Sequence, residues 1–549
     1  MRSIKTIITA LFLLMVSEAF GQHNFVYVEN GRLYFPDGKE LSLWGVNLQP
    51  CLSWEYNFSM KPAGIAWNKK VAKDATNRSL DELQLMNCQL IRCHLTPADF
   101  TDDKGNLINT LYLEMLDYMI AQAKKRGMYL SFSFLNHMGH ATVPNSFMNQ
   151  YTEWKDRPNW IFDKTMVAKS KNYIKQLLNR VNPYTKKAYK SDPSIVTWEI
   201  INEPTYFKYS EIKKSVASQE YENWLKISGK TDSITNFKHF REALVLQYIN
   251  RIYDEIRATG CKHPVIWNCN WHRMIIDHED VFSAVEKSKA EVVSFCNYPG
   301  QDLVPSDYWE FRKDLSHTDF SNWLWDAYNN RDWYGWTRDA GFKSKAKVVY
   351  EFETFFNQSA YLYAAQAKLF RSLGVQMATM WRYTMPINAL HNNLGSHFLN
   401  LKCTPRKAAS FMVAKEIFNA TPLYDTYVAA NTTELVTQNY MFSYKKDVCI
   451  FSSPEKFIYS NSFVDENYPK ISAGVKQIIG YGTSPYVTYN GTGVYFINYS
   501  NGKTKLNIMP NCAWLKEPWL NNDGKNLVVA LTNPDKSALK LNFSFDEQK

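Results

Sequence analysis

The chain has 549 residues, 45% hydrophobic and 15% aromatic, with a formal net charge of +10 spread without long runs of lysine or arginine. That spread excludes the concentrated basic footprint of a nucleic-acid-binding surface. The nine cysteines show no zinc-ligand spacing and leave room for one disulfide rather than a disulfide framework.

The first element reads as a leader. Arg2 and Lys5 precede an apolar run from Ile7 to Val16, followed by small residues around Ala19 and Gly21, the pattern of a secretory signal peptide over residues 1–21. The run is about ten residues long, well short of the roughly 20 that cross a bilayer, and no later segment approaches that length. The expectation is a secreted or periplasmic chain without a membrane span, and the remainder of the chain is long enough for two or more cores.

Eight short apolar runs alternate with helical patterns from about residue 41 to 420: Leu41–Leu48, Gln89–Leu95, Met128–Leu135, Ile195–Ile201, Pro264–Cys269, Val292–Tyr298, Lys347–Glu353 and Val375–Trp381. Several are apolar at consecutive positions, as parallel strands covered on both faces should be. The clearest helices between them are Leu111–Lys125, Lys164–Arg180, Phe237–Ala258 and Ser359–Leu373; the one after the fifth run is weak. Eight such units predict an α/β fold, a (β/α)8 TIM barrel over residues 22–420, with reactive groups on the connections that leave the C-terminal strand ends. The linkers after the third, fourth and sixth runs are long and carry Trp154, Trp160, Trp309, Trp323, Trp325, Trp333 and Trp336, which suits the walls of a cleft. Beyond residue 420 the helical period gives way to short strands and turn signals such as Asn490-Gly491 and Asn501-Gly502. Residues 421–549 are therefore expected to form a small antiparallel, sandwich-like β domain, packed on the barrel rather than binding glycan itself.

The most informative stretch is Ser191-Asp-Pro-Ser-Ile-Val-Thr-Trp-Glu-Ile-Ile-Asn-Glu-Pro204. It sets Asn202 and Glu203 at the end of the fourth predicted strand, where Pro204 stops the ladder. Glycoside hydrolysis needs two carboxyl groups flanking the scissile bond, one of them a proton donor with a raised pKa. Glu203 is the candidate acid/base, and the Asn202 amide is placed for a sugar 2-hydroxyl. Here the sequence resembles glycoside hydrolase family 5, within the clan of TIM-barrel retaining glycosidases whose acid/base is the glutamate of such an Asn-Glu-Pro. The approach from Asn182 to Ile195 into Trp198-Glu199 looks most like the endo-β-mannanase branch. The likeness covers roughly residues 25–420.

The resemblance implies roles at other strand ends. The family nucleophile is the glutamate of a Glu-Phe-Gly, which matches Glu351-Phe352 and departs at the third position, where Glu353 stands. Alternation along a strand gives Glu351 and Glu353 the same face, so the match, not the period, favours Glu351; Glu353 is left to bind a substrate hydroxyl or pair with a basic residue. Arg92 corresponds to the arginine beneath the nucleophile, and His137 to a substrate-contacting histidine, with His140 and His94 as neighbours able to stand in for it. Phe295-Cys-Asn-Tyr-Pro299 resembles a His-x-Tyr-Pro, so Tyr298 would donate to the nucleophile, while Cys296 replaces the histidine. Trp381 would be the sugar platform, with Trp271 and Trp44 as weaker candidates.

These residues imply hydrolysis of a β-linked polysaccharide or oligosaccharide by double displacement, β-mannan first and β-glucan second. An exo-acting glycosidase or transglycosylase on the same scaffold, or a glycan-binding protein without activity, are the alternatives. No metal or cofactor is required: Gly-rich phosphate loops, His-Glu-x-x-His and Gly-x-Ser-x-Gly elbows are all absent.

Overall fold

The computed structural model describes residues 24–136, 142–300, 315–353, 357–392, 397–428, 433–464, 467–517, 521 and 524–545. The leader assigned to residues 1–21 lies outside the described residues. Among those described, no helix is long and apolar enough to cross a membrane.

Eight parallel strands close into a barrel: β1 (Leu43–Asn47), β2 (Leu90–His94), β3 (Tyr129–Leu135), β4 (Ile195–Ile201), β5 (Val265–Asn268), β6 (Val292–Asn297), β7 (Ala346–Phe352) and β8 (Val375–Met380), with β8 paired to β1. Each lies on the run predicted for it, because strands buried on both faces leave an unbroken apolar trace in sequence. The principal outer helices are α1 (Lys69–Leu85), α2 (Leu111–Lys125), α3 (Lys164–Asn179), α4 (Ile234–Ala258), α5 (Glu279–Lys287), α6 (Ser321–Asn329), α7 (Leu362–Ser372) and α8 (Pro405–Ala420). The starts of the first four are set by capping side chains that satisfy otherwise orphaned backbone donors: Asn68 accepts from Val71 N, Thr110 from Leu113 N, Asp163 from Thr165 N and Met166 N, and Ser233 from Asn236 N. The Ser233 cap extends α4 three residues ahead of the predicted start.

The N-terminal mouth of the barrel is plugged. A hairpin of Tyr27–Glu29 and Arg32–Tyr34 inserts Leu33 into a cluster with Leu43, Leu90, Val196, Ile266, Val292 and Val348. Gln376 on β8 clamps it, accepting from Leu33 N at 2.7 Å and donating to Leu33 O at 2.8 Å. Chemistry is thereby left to the opposite end.

After α8 the chain builds a seven-stranded sheet from β9 (Glu434–Val436), β10 (Tyr440–Ser443), β11 (Val448–Ser452), β12 (Lys456–Ser460), β13 (Gln477–Tyr481), β14 (Tyr495–Ser500) and β15 (Lys503–Ile508). Its pairs are antiparallel apart from the parallel pair β12/β13. Strand alternation splits its side chains. Phe442, Ile458, Ile479 and Phe496 join the barrel core beside Phe411 and Met412 of α8, while Met441, Ile450, Phe457 and Ile478 pack beneath the strand Leu539–Leu541 and Phe543. All nine cysteines are free thiols, eight of them buried, so the room left for one disulfide is not used.

Candidate active site

Glu203 follows β4 with its backbone in the left-handed region, at φ 45°, a conformation that costs a non-glycine residue on the order of 1–3 kcal/mol and persists only where the surroundings over-determine it. Two side chains do so here. Arg157, from the connection between β3 and α3, donates to the carbonyls of Asn202 (3.3 Å) and Glu203, and Asn270 after β5 donates to Pro204 O at 3.1 Å. The Glu203 carboxyl is thus turned inward, 7% exposed, and accepts from Trp271 Nε1 and Tyr350 OH, each at 3.0 Å. Burial and then the nearby Glu351 charge raise its pKa.

Glu351 lies near the end of β7 and is equally enclosed, but its donors differ in kind. Arg92 Nη1 reaches Oε1 at 3.2 Å, His94 Nε2 approaches the same oxygen at 3.0 Å, and Tyr298 OH donates to Oε2 at 2.7 Å. Burial pushes the Glu351 carboxyl up to about 7, against Arg92 and Tyr298, which both favour its ionised form. Burial and the Arg92 charge push His94 well below the ordinary histidine range, so it meets the carboxylate as a neutral imidazole.

Arg92 connects the two carboxyl sites. Its Nη2 pairs with Glu199 Oε1 at 2.5 Å and donates to Asn202 Oδ1 at 2.9 Å, while Nη1 also donates to Asn47 Oδ1 at 3.0 Å. Glu199 is held in turn by Ser294 Oγ at 3.1 Å. With its oxygen occupied by Arg92, the Asn202 amide donates one N–H to Asn136 Oδ1 at 3.5 Å and keeps the other for an incoming acceptor. Trp381 follows β8 half-buried, stacked on His94 at 5.0 Å and tilted against Trp54 at 5.7 Å. Among the described residues, no group of three or more His, Cys, Asp or Glu is disposed to hold a metal ion.

Glu203, Glu351, Arg92, Asn202, Tyr298 and Trp381 therefore meet at one end of the barrel. His137 and His140 lie outside the described residues, as does Trp309; His94 makes the contact with Glu351. Three expectations change. Trp44 is no sugar contact: it points away from the barrel axis and is fully buried among Phe352, Phe370, Phe411 and Phe418. Trp160, Trp336 and Trp323 are buried in the hydrophobic core, at 1%, 2% and 7% exposure, and are not lining groups. Glu353 does not share a face with Glu351. It lies past the strand end, accepts from Tyr363 OH at 2.8 Å and pairs with Lys407 Nζ of α8 at 2.7 Å.

Sequence reasoning missed Tyr350, Glu199 and Arg157. Tyr350 is hidden by a β-bulge: β6 and β7 pair Phe295 with Val349 and then Cys296 with Glu351, skipping Tyr350. An extra residue of this kind breaks the alternation, so consecutive Tyr350 and Glu351 both reach the site. The Tyr350 hydroxyl also meets the Cys296 thiol, and Arg92 lies over the Tyr350 ring at 4.9 Å.

Residues 117–241 match a family model described as GH family 5 beta-mannosidase-like. Mannan endo-1,4-beta-mannosidase 4 of Solanum lycopersicum is 28% identical over 249 residues, which are 42% of this chain and 57% of that protein. Mannan endo-1,4-beta-mannosidase 7 of Arabidopsis thaliana is 36% identical over 99 residues, 16% of this chain and 22% of that one. The chain thus spans little more than half the length of the first of these relatives and less of the second. A solved glycoside hydrolase family 5 mannosidase from Rhizomucor miehei superposes with a TM-score of 0.48 at 14% identity, covering 73% of this chain and 98% of that one. The family model and the curated relatives bear out the resemblance of this chain to glycoside hydrolase family 5, on its mannanase side.

Proposed function

We propose that the chain is an exported, retaining β-glycoside hydrolase that cleaves β-mannan by double displacement, with Glu203 as acid/base and Glu351 as nucleophile. The observation that carries this reading is the unequal setting of two buried carboxyls at the ends of β4 and β7. Glu351 accepts from Arg92 and Tyr298, donors that favour a carboxylate, while the neutral His94 packs against it with Nε2 turned to Arg92. Glu203 receives only neutral side-chain donors on its carboxyl and feels the Glu351 charge, which favours keeping its proton.

In the first step Glu203 gives its proton to the glycosidic oxygen as Glu351 attacks the anomeric carbon; the leaving chain departs and a glycosyl-enzyme forms. In the second, Glu203 takes a proton from water, which displaces Glu351. Arg92 and Tyr298 favour the ionised form of Glu351 and aim it, Trp381 offers a ring face to the sugar before the cut, and the Asn202 amide meets the 2-hydroxyl as charge develops. His137 is assigned a substrate contact from the resemblance alone. Mannan is put ahead of β-glucan because the curated relatives are named for it.

A screen of soluble mannan, β-glucan and xylan, with product sizing and the anomer of the first product followed by proton NMR, tests the proposal. Mannan cleavage with β-configured first products is expected. Initial α-products would overturn retention, and mannan left uncleaved beside hydrolysed β-glucan or xylan would overturn the substrate.

A further inference from the structure

A second feature opens on the same end of the barrel. A cavity of about 360 Å³ lies where the connections after β6, β7 and β8 meet the C-terminal sheet, lined by His317, Gln358, Thr404 and Arg406 on the barrel side and by Tyr481 and Trp514 on the other. Its volume falls in the range of small-molecule sites, about 300–1,000 Å³. None of its lining groups belongs to the carboxyl site.

Its polar tips are uncommitted in a selective way. Arg406 is fixed by Asp447 at 3.1 Å, and Thr404 Oγ1 by Asn400. The Trp514 indole is anchored by its N–H to Cys403 O at 3.2 Å, which leaves its ring 36% exposed. By contrast, the Gln358 amide, the His317 imidazole and the Tyr481 hydroxyl make no side-chain hydrogen bond among the described residues. An anchored aromatic face beside free amide, imidazole and phenol groups is the combination that holds a neutral pyranose, whose C–H face packs on a ring while its hydroxyls take donors and acceptors. An anionic ligand fits less well, since Asp447 already answers the one fixed cation.

We infer that this cavity is a distal subsite that binds a hexose unit of a β-linked glycan extending from the carboxyl site, and that the C-terminal region contributes to it through Tyr481 of the seven-stranded sheet and Trp514 of the separate two-stranded pair Asn511–Trp514/Val529–Thr532. The inference rests on the proposed glycan hydrolysis for its ligand, and it gives the C-terminal region a part in binding that packing alone does not require. Short substrates would occupy only the carboxyl site; long ones would gain from both.

The test uses the full chain with Glu351→Ala to prevent turnover, titrated calorimetrically with mannohexaose, cellohexaose and mannobiose. Adding Trp514→Ala is expected to weaken hexaose binding about tenfold or more, equivalent to about 1.4 kcal/mol, and to leave mannobiose unchanged. The double change Gln358→Ala with Tyr481→Phe removes both polar tips and keeps the Tyr481 ring, and is expected to act in the same direction. Unaltered hexaose affinity in the double variant, or equal losses for hexaose and mannobiose, overturns the subsite. Hydrolysis is read separately on the chain with Glu351 intact: hexaose binding that depends on Trp514 without hydrolysis would sink the enzymatic reading and keep the subsite, and hydrolysis with no such dependence would do the reverse.

Discussion

Glu351 and Glu353 are two residues apart and both buried, yet the structure gives them opposite consequences on substitution. Glu353 is 1% exposed by its side chain and Lys407 2%, at 2.7 Å, so no solvent screening discounts the pair. Glu353→Ala leaves an ammonium and the Tyr363 hydroxyl buried without that partner. Breaking a buried pair in this way costs about 3–5 kcal/mol. Glu353→Gln keeps an acceptor for both donors and loses the charge, which brings the cost down to about 1–3 kcal/mol. Urea unfolding followed by tryptophan fluorescence should show the midpoint falling in the order wild type, Gln, Ala at similar slope. Turnover per folded molecule should stay within about threefold of wild type, because neither Tyr363 nor Lys407 touches Glu351, and a threefold change is only about 0.6 kcal/mol of barrier. A Glu353→Gln protein of full stability and abolished activity would refute this and move the nucleophile to Glu353.

Activity should depend on pH through the coupled carboxyls. Glu351 must be ionised to attack and is raised to about 7, so the acid limb of kcat/KM should fall near neutrality, with activity lost as pH drops through it. Tyr298→Phe removes a hydrogen bond that lowers the Glu351 pKa, so that limb should move up by about one pH unit, equivalent to about 1.4 kcal/mol; a downward move contradicts the assignment. The same raised pKa means that Glu351 contributes stability present below the ordinary glutamate pKa and lost as pH rises through about 7, a trend that pH-dependent urea midpoints should show weakened in Glu351→Gln. Arg157→Met should release the Glu203 backbone and lower kcat about 10–100-fold, more for substrates with poor leaving groups, while Arg157→Lys restores part of it. Equal losses for good and poor leaving groups would show that Arg157 does not act through the acid.

Much of this architecture is legible in the residues themselves. Parallel strands covered on both faces read as apolar runs, and β4, which ends in an Asn-Glu-Pro, has the bounds its sequence suggests. Most of the strand-end ring follows from the same logic, since a side chain at a strand terminus has one end of the barrel to face. What escaped did so for physical reasons. Tyr350 lies on a bulge, and alternation counts every residue once. Arg157 comes from a long connection whose path no local pattern encodes. Glu199 sits mid-strand inside the barrel and reads as an interruption until Arg92 is placed above it. Trp44 was misjudged because residues on a barrel strand face either the axis or the helices, and an aromatic side chain suits both. Glu353 needed its partner, and Lys407 is more than fifty residues further along the chain.

The central claim is that Glu351 forms the bond to sugar and Glu203 handles the proton. Its most direct test is Glu351→Ala with an activated aryl β-mannoside in the presence of azide. The account predicts negligible turnover without azide and, with it, partial rescue giving a mannosyl azide of inverted, α configuration, because azide enters the space the carboxylate vacates. Wild-type turnover in that variant, or a β-configured azide, would contradict it.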